Sequence, residues 1–257
     1  MLPFWPDVVG PLLEALGPES IVEIGSESGK NTRRLIELAQ RRGATVHAVD
    51  PAPLFDVAAW EAEHHPTLVV HRARSLDALP RIARFDAVLI DGDHNWYTVF
   101  HELRLVERLA AERGHPFPLV LLHDVAWPYG RRDLYYDPAT VPEEHRQPCA
   151  RGGLSPTQAE LLPKGGFNAH LWHAVLEGGP RNGVLTGVED WLAGSAIEAS
   201  LTVIPAVFGL GIVVPRAIAD RSAEIRRLVD AWRVPEVARF VERLEMARIA
   251  MLTGVRG

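Results

Sequence analysis

The stretch "SIVEIGSESGKNTRRLIELAQRRGATVHAVD", residues 20–50, decides the fold. Residues 20–25 form an apolar run and read as a buried strand. Residues 29–43 set Leu35, Ile36 and Ala39 on one face at helical spacing, so a helix follows. "ATVHAVD" (44–50) is a second strand. Strand, helix and strand in direct succession form the right-handed crossover of a parallel sheet.

The alternation continues outward. "LFDVAAWEAEH" (54–64) is a second helix, and "TLVVHR" (67–72), "FDAVLID" (85–91) and "PFPLVLLHD" (116–124) are the third, fourth and fifth strands. Between the last two, residues 96–110 repeat Val99, Phe100, Leu103, Val106 and Leu109 at helical spacing. Such a chain predicts an α/β fold with helices on both faces of the sheet. The alternation then stops. Residues 125–182 are rich in proline, glycine, tyrosine and arginine, and a connection of this length is usually functional. Its aromatic residues argue against plain disorder, so a lid over the carboxyl ends of the strands is expected. A short helix (183–194) and a hairpin around "FGLG" (200–217) close the chain's sheet with an antiparallel strand. Residues 219–253 read as helical with a break near Pro235, carrying an apolar stripe of Val237, Phe240, Val241, Leu244, Ala247 and Met251. The stripe is expected to pack on its own domain, with dimerisation as the alternative. The expectation is one domain over 1–257 with 125–182 as a substrate-binding lid inside it.

Composition narrows the classes. The chain has 257 residues, 47% hydrophobic and 23% charged, as in an ordinary globular protein. Its net charge of −6 argues against a nucleic-acid surface. One cysteine, Cys149, excludes an internal disulfide and a thiolate metal cluster. No run reaches the roughly 18 apolar residues of a membrane span, and the first twenty residues lack the pattern of a signal peptide. A cytoplasmic location is expected.

The glycine loop "EIGSESG" places Glu23, Gly25, Ser26 and Gly29 at the first strand-to-helix turn. Glycine there permits positive φ and close approach of a ligand. The dinucleotide pattern G-x-G-x-x-G is not met, and the acidic Glu23 would repel a pyrophosphate while suiting an ammonium group. Asp50 ends the second strand, where an acid grips ribose hydroxyls. An amino group and a ribose without phosphate describe S-adenosylmethionine. On these residues the chain resembles the class I S-adenosylmethionine-dependent methyltransferases over 20–124 and 200–217. The resemblance implies a Rossmann-like seven-stranded mixed sheet in the order 3-2-1-4-5-7-6. It also implies cofactor contacts from Glu23, Gly25, Ser26, Gly29, Asp50 and Asp91, with Ser75 near the adenine.

In that topology "LIDGDHNW" and "LLHDV" end adjacent strands, so Asp91, Asp93, His94, His123 and Asp124 are candidates to converge beside the cofactor's methyl group. Such an oxygen-rich set with an imidazole suits Mg²⁺, with Mn²⁺ as the alternative. The two motifs resemble the divalent-metal-dependent small-molecule O-methyltransferases, the catechol-type enzymes and the macrolide and aminocoumarin sugar methyltransferases among them. The resemblance implies Asp91, His123 and Asp124 as metal site and places His94 where the catechol-type enzymes carry a general-base lysine. The pair ending strand 5 departs from the family's Asp-Asp or Asp-Asn, which leaves His123 either a ligand or a neighbour of one. Asp93 is a further ligand candidate, and Asp93 and His94 alternatively cap the helix that follows. The wording "HDVAWPYGRRDLYYDP" is similar to actinobacterial sugar methyltransferases of the methylmannose polysaccharide type. The expected function is metal-dependent O-methylation of a sugar, oligosaccharide or small polyol. Alternatives are a non-sugar natural-product acceptor, an oxidative enzyme on the same scaffold, and a non-catalytic cofactor-binding protein. Trp127, Tyr129, Arg131, Tyr135 and Tyr136 are the candidate acceptor contacts in the lid, and a homo-oligomer is allowed.

Overall fold

The computed structural model describes residues 1–253. Helical turns over residues 2–9 lead into α1 (Gly10–Leu16), then β1 (Ser20–Ile24), α2 (Lys30–Arg42), β2 (Thr45–Val49), α3 (Val57–His64), β3 (Leu68–His71), α4 (Ser75–Ala78), β4 (Ala87–Ile90), α5 (Trp96–Glu112) and β5 (Leu119–His123). The segment after β5 holds β6 (Leu134–Tyr135), β7 (Cys149–Arg151), β8 (Gly153–Ser155), β9 (Gln158–Leu162) and β10 (Trp172–Ala174). The chain closes with α6 (Val184–Gly194), β11 (Ala199–Ile204), β12 (Leu210–Pro215), α7 (Arg216–Arg221), α8 (Ala223–Asp230) and α9 (Pro235–Thr253).

Seven strands form one sheet in the order β3-β2-β1-β4-β5-β12-β11. Counted within the sheet this is 3-2-1-4-5-7-6, as the resemblance implied. β12 runs antiparallel to both β5 and β11, whereas the other neighbours are parallel. Strand alternation divides the core into two layers. Ile21, Leu89 and Leu121 face α1, α2 and α8 with Leu35, Leu38 and Ile225. Val22, Val88 and Val120 face α5 and α6 with Leu103, Val106 and Trp191. All sheet carboxyl ends of the parallel strands therefore open on one edge, the position at which such sheets bind ligands. Asn95 is the N-cap of α5, its side chain accepting the Thr98 N–H at 2.8 Å, which satisfies a backbone donor of a buried first turn.

The segment 125–182 is folded: β6, β10 and β7 form a three-stranded sheet, and β8 pairs with β9. Asp133 anchors it, accepting the Trp96 N–H, the Gly183 N–H and the Tyr135 hydroxyl at 2.7 Å each. The stripe on α9 does not pack on its own domain, since Phe240 and Leu244 are 54% and 55% exposed. Only Glu245 and Ile249 of that helix are buried. Among the described residues no helix is long and apolar enough to cross a membrane.

A histidine pair on β2 and β3 carries a stability consequence. His47 Nδ1 lies 3.1 Å from His71 Nε2. Burial, then the charge of His71, lowers the His47 pKa to about 4. The unfolded ring binds its proton near 6.5, so below that value the unfolded chain takes up protons that the folded chain refuses. Stability from this group is complete above pH 6.5 and is lost as pH falls toward 4. Acid titration of thermal unfolding should show a smaller drop for His47→Gln than for the wild type. A partly exposed ring warrants a cost of only about 1 kcal/mol, roughly 2–4 °C in Tm for a chain of this size. Parallel titration curves for the two proteins would remove the pair as the cause.

Candidate functional site

A cavity of about 560 Å³ lies against the glycine loop, the ends of β4 and β5, and the lid. Its floor is the first βα turn. Gly25 has φ +88°, and its N–H donates to the Val49 carbonyl at 2.9 Å. A Cβ there would stand 2.2 Å from the Asp91 carbonyl oxygen. The missing side chain is thus what lets the β1 and β4 loops touch. Gly29, at φ +75°, precedes the first turn of α2 and meets the Trp60 ring where a Cβ would be.

The two acids of the loop face the loop's own backbone and helix. Glu23 is 1% exposed. It accepts the Thr32 hydroxyl at 2.5 Å and the Asn31 amide at 2.8 Å. Burial raises its carboxyl to about 7 in spite of those bonds. Asp50 accepts the Glu27 N–H and the Ala52 N–H at 2.8 Å each. Neither acid lines the cavity, whereas Gly25, Ser26, Lys30 and Asn31 do. Ser26 Oγ and Asn31 Oδ1 are buried polar atoms with no protein partner, an arrangement that calls for a ligand or water. Ser75 is buried at the start of α4, outside the cavity lining.

At the ends of β4 and β5 four titratable side chains converge. His123 Nδ1 is 2.9 Å from Asp124 Oδ2 and 3.4 Å from Asp91 Oδ1. His94 Nε2 is 3.2 Å from the same Asp124 oxygen and 3.6 Å from Asp91 Oδ1. Asp124 adopts φ +60°, a left-handed conformation that aspartate tolerates better than most residues. Burial opposes the charge on His123, but Asp124 and Asp91 outweigh it and bring its pKa to about 9. His94 shows the same balance and is raised. Burial also opposes ionisation of Asp91, yet His123 and His94 hold it well below the usual carboxylate range. The Met1 amino group approaches Asp91 Oδ2 at 3.1 Å.

Asp91, His123 and Asp124 each offer a ligand atom within 4.8 Å of the others. Two carboxylates and an imidazole, with His123 Nε2 unpartnered, form a donor set that fits a hard divalent cation completed by water or acceptor oxygens. Asp93 points elsewhere, accepting the Thr98 hydroxyl at 3.1 Å. It supports the start of α5, and His94 faces the cluster. The structure thus separates the two residues that the sequence left together.

Of the five lid residues expected at the acceptor, Tyr129 and Tyr136 line the cavity. Tyr129 stacks on His94 at 5.5 Å and 12°, and its hydroxyl accepts the Asn168 amide at 2.7 Å. Tyr136 is 59% exposed at the cavity, with its ring 6.0 Å from His94. Tyr135 is buried against Asp133, and Arg131 is paired with Glu189 at 2.5 Å, so neither lines the cavity. Trp127 packs beside Phe167 behind the wall. Sequence reasoning missed Phe167, Asn168 and Leu171 of the lid, Val207 and Phe208 of the β11–β12 turn, and the N-terminal Met1–Pro3, all of which line the cavity.

Residues 22–125 match a family described as a methyltransferase domain, a span running from β1 to just past β5. The match points to a methyltransferase domain over that span. No curated protein matches the chain. Among solved structures, the Podospora anserina methyltransferase PaMTH1, bound to S-adenosylhomocysteine, is 14% identical over 80% of this chain and 76% of its own, with a TM-score of 0.47. The Burkholderia thailandensis 1,6-didemethyltoxoflavin-N1-methyltransferase is 15% identical over 82% of this chain and 80% of its own, with a TM-score of 0.42.

Proposed function

We propose that this chain is an S-adenosylmethionine- and divalent-metal-dependent O-methyltransferase acting on a hydroxyl of a sugar, oligosaccharide or related small polyol. The observation that supports it best is the placement of Asp91, His123 and Asp124 in the same cavity as the glycine loop. The cofactor's amino-acid end is assigned to Ser26 and Asn31, whose buried atoms lack partners. A divalent cation, Mg²⁺ or Mn²⁺, would be held by Asp91, His123 and Asp124, and when bound it lowers the pKa of a hydroxyl coordinated to it. His94 takes the hydroxyl proton at a ring nitrogen as the methyl group leaves sulfur. Tyr129 keeps that ring in place by stacking, and the lid excludes water from the reacting atoms.

A non-sugar acceptor is the second reading, favoured by the wall of Phe167, Leu171, Val207 and Phe208. An acceptor with one apolar face and adjacent hydroxyls would suit that wall. Methyl transfer from labelled S-adenosylmethionine to a panel of sugars and phenolic polyols, with and without EDTA, tests both readings. Transfer should stop on chelation and return with Mg²⁺ or Mn²⁺. Asp124→Asn should stay inactive at any metal concentration while its circular dichroism matches the wild type. Transfer indifferent to EDTA would remove the metal from the reading, and an oxidised product would favour the oxidative alternative.

A further inference from the structure

His173, on β10 of the lid, is fully buried and lies outside the cavity lining. A histidine is a costly way to fill a core, because its ring nitrogens need partners. Nδ1 has one, the Gly152 carbonyl at 3.1 Å, and Nε2 has none. Burial lowers the pKa of the ring to about 4. The ring is therefore neutral, and its single proton sits on Nδ1, donated to Gly152. That bond fixes the rotation of the ring. A leucine would fill the space without leaving a nitrogen unpaired; a flat ring held at one angle is what histidine adds.

Two routes join this ring to His94. The first is a stack of three rings. The His173 and Tyr129 centroids lie 5.9 Å apart with the planes at 18°, and those of Tyr129 and His94 lie 5.5 Å apart at 12°, within the range of offset stacking. The second runs through the backbone. His173 faces Leu134 across the β6–β10 ladder, and the Leu134 N–H donates to the His94 carbonyl at 2.9 Å. The middle ring is fixed at both ends. Asn168 donates to the Tyr129 hydroxyl at 2.7 Å, and the Tyr129 carbonyl accepts the Val184 N–H at 2.9 Å. The His94 ring has no such fixture of its own, since both of its nitrogens are buried without a well-formed hydrogen bond. Its plane is set by the face of Tyr129.

We infer that His173 is a positioning residue for His94: through Tyr129 and Leu134 it holds the catalytic ring at the angle from which a nitrogen reaches the acceptor hydroxyl. The inference rests on the reading that His94 takes that proton. It makes the lid part of the catalytic apparatus as well as a cover, because the ring that orients the base belongs to a lid strand.

Two substitutions separate the ring from its hydrogen bond. His173→Gln can still donate to Gly152 but has no ring, and His173→Phe keeps a ring without the bond. Misplacement of a reacting group by an ångström can cost about a hundredfold in rate, so a loosened His94 ring should cost His173→Gln about tenfold in single-turnover rate. Its cofactor affinity and acceptor KM should match the wild type. His173→Phe should recover most of the loss. In a His94→Ala background His173→Gln should cost nothing further, because a positioning effect disappears with the group positioned, whereas an effect on general packing adds in full. One readout needs no acceptor. In spectra of protein carrying ¹³C-labelled histidine, the His94 ring signal, assigned by its loss in His94→Ala, should move or broaden in His173→Gln as Tyr129 tilts. A His94→Ala variant at the wild-type rate would remove the reading of His94 as base and the inference with it. A slow His94→Ala beside a His173→Gln at the wild-type rate overturns the inference alone. So do losses that add in full, a folded His173→Phe as slow as His173→Gln, or a His94 signal that His173→Gln leaves unmoved.

Discussion

Gly25→Ala is expected to abolish measurable binding of S-adenosylmethionine. The added methyl would lie 2.2 Å from the Asp91 carbonyl oxygen and 2.7 Å from Gly92 Cα, and both are backbone atoms that no rotamer change can move. The residue also sits at φ +88°, which costs a non-glycine residue on the order of 1–2 kcal/mol. Relief requires the β1 and β4 loops to separate, which moves Ser26, Asn31 and Asp91 together. Loss of two hydrogen bonds to a charged ligand, at roughly 1.5–3 kcal/mol each, corresponds to about a hundredfold or more in affinity. Calorimetric titration with the cofactor is the measurement. Gly43→Ala is the control, since Gly43 has φ +69° and no atom within 4 Å of its added methyl. It should lower Tm modestly and leave the affinity alone. Equal affinities for Gly25→Ala and the wild type would place the cofactor elsewhere.

The parts of this molecule that depend on local pattern were readable from the chain. β1, α2 and β2 announce themselves through the spacing of Leu35, Ile36 and Ala39 between two apolar runs, and the antiparallel β12 through the hairpin around Gly209 and Gly211. The convergence of Asp91, His94, His123 and Asp124 followed from one topological fact, that β4 and β5 are neighbours with their carboxyl ends on one edge. What was hidden depends on contacts far apart in sequence. β6 has two residues and pairs with β10 nearly forty positions later, too short for any periodicity to show. Arg132 sits in a polar loop sequence, yet it is buried and donates to the Ala174 carbonyl at 2.5 Å, a partner 42 positions away. Glu23 and Asp50 are acids at the expected strand ends, yet their carboxylates hold Asn31, Thr32 and the Glu27 N–H. The polar "KNT" after the glycine loop was the available signal for the first of these partnerships. Nothing local marks Phe208 as a cavity wall, because its position is set by Glu245 on α9 and by its carbonyl accepting the Ala126 N–H at 2.8 Å.

His94→Ala is expected to lower kcat by about 10²–10⁴-fold, the usual contribution of a positioned general base. Four observations converge on this side chain. It lines the cavity, its ring nitrogens are buried without a well-formed hydrogen bond, Asp124 and Asp91 lie within 3.6 Å of Nε2, and Tyr129 stacks on its face. Burial disfavours charge on the ring, but Asp124 and Asp91 outweigh it and raise its pKa. Cofactor affinity should change little, because Ser26 and Asn31 lie on a different loop. The substitution separates catalysis from folding, since Asn95 and not His94 caps α5. His94→Gln retains polarity and much of the volume but cannot take up a proton at neutral pH, and it should be about as slow as alanine. Single-turnover transfer from labelled S-adenosylmethionine, with acceptor in excess, compares the three proteins without interference from product release. If glutamine restores most of the rate, His94 orients the acceptor through a hydrogen bond and is not the group that takes the proton.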